Sequence, residues 1–196
     1  MGEAVAIGVR RVAWLVWPRV VWPGLVWLGV AAGLSACQNA PSRAMPCPEV
    51  KVVPDAGYVT RFAGDSEDLT DTDYEAKIVN VDSQCFYVTN TDTKKQSIRS
   101  ELQVQIAASR GPKNKGDKAD IKYYVKLTGP GGAMLKSQDF ELEIPLPQNQ
   151  PTAAVLDDPQ VIIPLADGQS GDHFRIWVHF DVSEKELAYN RRNPQQ

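Results

Sequence analysis

The chain has 196 residues, with 21 basic and 24 acidic side chains, a net charge of −3 and two histidines. A mildly acidic balance argues against a nucleic-acid partner, which calls for a clustered basic face. Two histidines leave few ways to build a zinc site or a serine triad, and no Gly-x-Ser-x-Gly elbow is present.

Arg10, Arg11 and Arg19 precede an apolar run from Val20 to Ala36 that ends in Leu34-Ser35-Ala36-Cys37. This is a bacterial lipobox behind a signal sequence. The basic front stays in the cytoplasm, the apolar run enters the membrane, and small side chains expose the bond before Cys37 to a peptidase. Residues 1–36 are therefore expected to be removed and Cys37 to carry lipid. A membrane-spanning anchor is the alternative. Against it stand the minimal length of the run, Pro23 and the glycines within it, and the lack of a basic cluster after it. Removal leaves 160 residues, 18 basic and 23 acidic, with Trp177 as the sole tryptophan. That length suits one domain with a proper core.

Residues 37–46, with two prolines, read as the lipidated N-terminus and a short polar tether. Fully stretched, the tether reaches about 30 Å, so the domain should ride close to the membrane. Once Cys37 is lipidated, Cys47 and Cys85 remain as a pair in an oxidising compartment, and a structural disulfide between them is expected. It would pin the start of the domain to its first hairpin.

From Cys47 onward the hydrophobic period is two. Leu102, Val104 and Ile106 alternate weakly with polar neighbours; Ile121, Tyr123, Val125 and Leu127 do so strictly. The same holds for Phe140 to Leu146, and for Phe174, Ile176, Val178, Phe180 and Val182. Each set buries one face and wets the other, as in antiparallel sheets with one core side. Strands near 75–81, 84–89 and 159–165 show broken alternation of the kind bulges produce. Turns are expected at Asn90-Thr91-Asp92, Gly129 to Gly132 and Ala166-Asp167-Gly168.

The fold class is therefore all-β: an immunoglobulin-like antiparallel sandwich over 47–190, with a small barrel as the alternative. Ser183-Glu184-Lys185-Glu186 is a capping box opening a short C-terminal helix. The tail 191–196 reads as frayed.

The chemistry-bearing motifs are few. Gly64 to Glu75 carries Asp65, Glu67, Asp68, Asp71, Asp73 and Glu75, but lacks the glycine an EF-hand loop needs after Asp71-Thr72-Asp73. It reads as an acidic solvated loop, with calcium binding as the alternative. His173 and His179 fall on one predicted strand face, about 20 Å apart, too far to share a metal. Arg110 to Lys118 is a basic loop that could meet phosphate or peptidoglycan carboxylates, but reads better as a solvated tip. Trp177 falls on the polar face of its strand, where the C-terminal helix is expected to cover it with Leu187 and Tyr189. No catalytic residues, metal ligands or cofactor are expected.

Cys47-Pro48, Leu69-Thr70-Asp71 with Glu75 to Ile78, Arg110-Gly111-Pro112, Ile163-Pro164-Leu165 with Gly168 and Ser170-Gly171, and Leu187 to Arg191 resemble a family of uncharacterised, chiefly alphaproteobacterial lipoproteins. The resemblance covers nearly all of the chain after Cys37. It implies a host with two membranes and supplies no catalytic residues. Gln38, where aspartate would favour the inner membrane, points to the outer membrane. The expected role is that of a lipid-anchored protein facing the periplasm, acting by protein–protein contact in outer-membrane or wall assembly. Residues 54–75 and open sheet edges are the expected contact surfaces, and the segment after Cys47, which has little periodicity, is expected to order on a partner. A small-ligand or calcium-binding module, or an enzyme on envelope polymers, are the alternatives.

Overall fold

Period-two alternation organises most of the computed structural model, which describes residues 45–194 as nine strands and one α-helix. The strands are β1 (Glu49–Val52), β2 (Tyr58–Phe62), β3 (Thr72–Thr89), β4 (Gln96–Arg110), β5 (Lys118–Thr128), β6 (Met134–Pro145), β7 (Thr152–Asp157), β8 (Gln160–Pro164) and β9 (Arg175–Phe180); the helix is α1 (Glu184–Arg192). The signal peptide, Cys37 and most of the tether lie outside the described residues. Among those residues no helix is long and apolar enough to cross a membrane.

One sheet has the order β1–β9–β5–β6. The other has β2–β3–β4, with β7 and β8 lying end to end along the far side of β4. Every pairing is antiparallel except β1 with β9. The chain passes between sheets four times, after β1, β4, β6 and β8, which makes the fold an immunoglobulin-like sandwich. Its core is the sum of the inward sets: Ile98, Val104 and Ile106 of β4, Tyr123 and Val125 of β5, Ile176, Val178 and Phe180 of β9. Tyr123 keeps its hydroxyl satisfied by donating to Asp157 Oδ2 at 2.5 Å. Burial, reinforced by that bond, pushes the phenol pKa far up.

The disulfide forms as expected between Cys47 and Cys85, with Cα atoms 5.8 Å apart. It joins the segment just before β1 to the middle of the β3–β4 hairpin, linking the two sheets. Tyr87 adds to it: its hydroxyl donates to Pro46 O at 2.6 Å and accepts from Gly171 N at 2.8 Å. Gly171 must be glycine here, because a Cβ would stand 2.2 Å from Pro46 O.

Several expectations are corrected. The two short strands near 75–81 and 84–89 are one 18-residue strand, β3, whose alternation breaks at a bulge between Ile78 and Asn80. The segment after Cys47, expected to order on a partner, is already ordered within the fold: it contains β1, a 3-10 turn at Pro54–Ala56, and β2. His173 is not on the β9 strand face; it closes a 3-10 turn, Gly171–His173, and its Nδ1 accepts from Ser170 N at 3.3 Å. The frayed tail begins later than expected, since Arg191 and Arg192 belong to α1 and pair with Asp55 and Glu67.

Helix α1 does not cover Trp177 either. It lies over β2 and the 3-10 turn before it, with Tyr189 edge-on to Phe62 at a 5.3 Å ring separation. The Ser183–Glu186 capping box forms as read from the sequence. Asn190, fully buried, gives both amide protons to backbone oxygens, Asp55 O at 2.8 Å and Tyr58 O at 2.9 Å, while Tyr58 Oη donates to Asn190 O at 2.7 Å.

Candidate interaction surface

With the helix elsewhere, the outer face of the β1–β9–β5–β6 sheet is uncovered. The pleat sends Arg175, Trp177 and His179 of β9 to that face, together with Lys122, Tyr124 and Lys126 of β5. Register then fixes the neighbours: Lys51, Trp177 and Lys126 form one cross-strand row, and His179 and Tyr124 the next.

Trp177 is half-buried and held in place. Its indole N–H donates to Thr128 Oγ1 at 3.3 Å, and the Arg175 guanidinium stands 5.4 Å from its ring. Tyr124 and His179 rings are 5.4 Å apart, and Lys126 Nζ is 5.3 Å from the Tyr124 ring. His179 Nδ1 lies 2.7 Å from Phe180 O; a carbonyl only accepts, so this nitrogen carries the proton. Burial holds the imidazole pKa below its ordinary value, and Lys126 pushes the same way.

Arg175 and Lys122 beside the aromatics are paired. Arg175 meets Glu49 at 2.7 Å, and Lys122 meets Glu141 at 3.2 Å and Asp139 at 3.4 Å. Lys51, 2.6 Å away, and then Arg175 keep the Glu49 carboxyl below its usual range, and Glu141 with Asp139 keeps the Lys122 amine above its own. Ordered aromatic rings and an arginine, rimmed by ion pairs, are the residue types that anchor protein partners.

The other motifs resolve into structural parts. Three carboxylates of the acidic stretch are engaged within the fold: Asp68 accepts from Thr70 N at 2.8 Å, Asp73 from Asn114 Nδ2 at 2.9 Å, and Glu67 pairs with Arg192 at 2.7 Å. The hydrogen bonds from Thr70 lower the Asp68 pKa. Among the described residues no three His, Cys, Asp or Glu side chains stand together as a metal site. The basic loop is no plain solvated tip, because Arg110 turns inward onto Asp117, Leu146 O and Asn114 O. Gly111 donates to Asp73 O at 2.7 Å and sits where a Cβ would meet Thr72 O at 2.2 Å.

The sequence pointed to Trp177 and His179 but not to Tyr124. Alternation places Lys122, Tyr124 and Lys126 on one face, yet nothing local says that β5 lies beside β9. An open polar depression of about 400 Å³ lies elsewhere, lined by Asp82, Glu101, Asp158 and Gln160.

No family model matches this chain, and no curated protein matches it. Among solved structures, it is similar to the variable domain of the AgI/II polypeptide BspA of Streptococcus agalactiae. The identity is 15%, covering 68% of this chain and 78% of that one, with a TM-score of 0.23. Likeness at that level carries no functional argument.

Proposed function

We propose that this chain is a lipoprotein of the bacterial envelope. In this reading it is anchored through lipid on Cys37 to the outer membrane, faces the periplasm, and works by binding other envelope proteins. The observation that carries the reading is the Cys47–Cys85 bond. It accounts for two of three cysteines and implies an oxidising compartment, leaving unpaired the one cysteine that ends Leu34-Ser35-Ala36-Cys37. The aromatic face around Trp177 and Tyr124 is the surface we assign to partners, with accessory duty in outer-membrane or wall assembly as the role.

Labelled palmitate tests the anchor. The wild-type protein should incorporate it and fractionate with outer membrane, and Cys37→Ala should do neither; an unlabelled wild type would refute the reading. A photo-crosslinker at Trp177 should capture discrete envelope proteins, and one at Gln105, on the outer face of the other sheet, should not. Equal capture at both positions would remove the assigned surface.

A further inference from the structure

The strand registers place four features at one end of the sandwich: the chain entry at Met45, the β3–β4 turn (90–95), the β5–β6 turn (129–133) and the 165–173 connection. Among the described residues nine large apolar side chains are exposed, and six belong to this end: Met45, Phe86, Val88, Met134, Leu135 and Ile162. The β5–β6 tip is the most apolar part. From Leu127 to Leu135 (Leu-Thr-Gly-Pro-Gly-Gly-Ala-Met-Leu) it carries no charge, and Met134 and Leu135 are 57% and 54% exposed. Gly131 and Gly132 adopt φ of 72° and 80°, with nothing within 4 Å of where a Cβ would be, so the apex is open. By contrast, the neighbouring β3–β4 turn carries Asp92, Lys94 and Lys95, and the loops at the opposite end, 63–71 and 111–117, are also charged, so the β5–β6 tip alone among these loops is free of charge.

The Met134–Thr128–Arg175–Glu49 row aligns this tip with the point where the chain enters β1. Three strand spacings separate Met134 from Glu49, about 14 Å. From Cys37 to Met45 the chain spans at most about 27 Å. A lipid on Cys37 therefore leaves the uncharged tip within reach of the bilayer surface.

We infer that the β5–β6 tip is a membrane-contact element: Met134 and Leu135 enter the interfacial layer of the same leaflet that holds the lipid, fixing the orientation of the domain. The tip fits lipid because it offers apolar side chains with no charge to desolvate, whereas a charged loop would resist entry. The inference rests on the lipid anchor proposed above.

Full-length lipidated protein in phosphatidylethanolamine–phosphatidylglycerol vesicles provides the test. Leu135→Cys and Leu69→Cys variants, each carrying an environment-sensitive fluorophore, would be compared using spin-labelled lipids as quenchers. The probe at position 135 should be quenched about twofold or more beyond the probe at 69, which sits at the opposite end. Equal quenching in protein that floats with the vesicles would overturn the inference and leave the anchor standing. Protein that carries no lipid and fails to float would overturn both. A Leu135→Asp variant, still lipidated and floating, should lose quenching of a probe at Met134→Cys; retained quenching would also count against the contact.

Discussion

At the end where the chain enters, the sandwich is closed covalently: Cys47 is bonded to Cys85, and Tyr87 clamps Pro46 against Gly171. At the opposite end closure is polar and non-covalent. Asn190 ties α1 to the β1–β2 connection, Arg61 reaches Glu186 and Asp181 O, and Arg110 with Asn114 locks the β4–β5 crossover. The difference teaches where each device is available. At the entry end the first strand's approach is fastened to the other sheet by a cross-link, which restricts the unfolded chain. The far end has a helix, whose buried amide can satisfy backbone groups of the connection beneath it.

The largest break of this comparison is removal of the disulfide. Its bridge closes a 38-residue separation. Cys47→Ser with Cys85→Ser should cost about 4 kcal/mol in urea unfolding, and reductant should reproduce the loss in the wild type. A cost near zero would mean that the entry end is held by packing alone. Next comes Asn190→Ala, which strands Asp55 O and Tyr58 O beneath the helix; about 2–3 kcal/mol is expected. Because the two sites lie at opposite ends, the penalties should add within about 0.5 kcal/mol, whether or not the bridge is reduced. Strong coupling would show that the ends do not act independently.

Tyr87→Phe sharpens the contrast at the entry end. It removes the hydrogen bonds to Pro46 and Gly171, at about 1 kcal/mol. This loss should not add to that of the disulfide, since both fasten the same segment; a double-mutant cycle reads the coupling. The smallest effect is in pH. His179 has a pKa held down by burial, so between that value and about 6.5 the unfolded chain binds more protons than the folded one. Melting temperature should fall as pH drops from 7.5 to 5.5, and His179→Gln should flatten that decline. Glu49 and Asp68, whose pKa values are lowered, add their losses only at more acid pH.

Some strands were legible in the chain because their environments are one-sided. β5 and β9 alternate cleanly, since one face meets the core and the other meets water. β2 was not legible. Its Tyr58 and Thr60 are buried under α1 while Val59 is buried in the core, so burial on both faces erased the period. β1 is four residues long, with two apolar side chains flanked by prolines, too short for a pattern to register. The candidate surface was half legible: Trp177 and His179 stood out as polar-face residues, but Tyr124 joined them only through the β5–β9 register.

The sequence by itself determined the all-β class, the helix cap at Ser183 and the pairing of Cys47 with Cys85. These follow from local alternation, a four-residue capping pattern and the arithmetic of three cysteines, none of which needs a distant neighbour. Tertiary structure alone decided where α1 docks and which aromatic rings share a face. It also set which loops gather at the chain's entry. All three depend on which strands lie side by side, and strand order is set by packing between segments far apart in the chain.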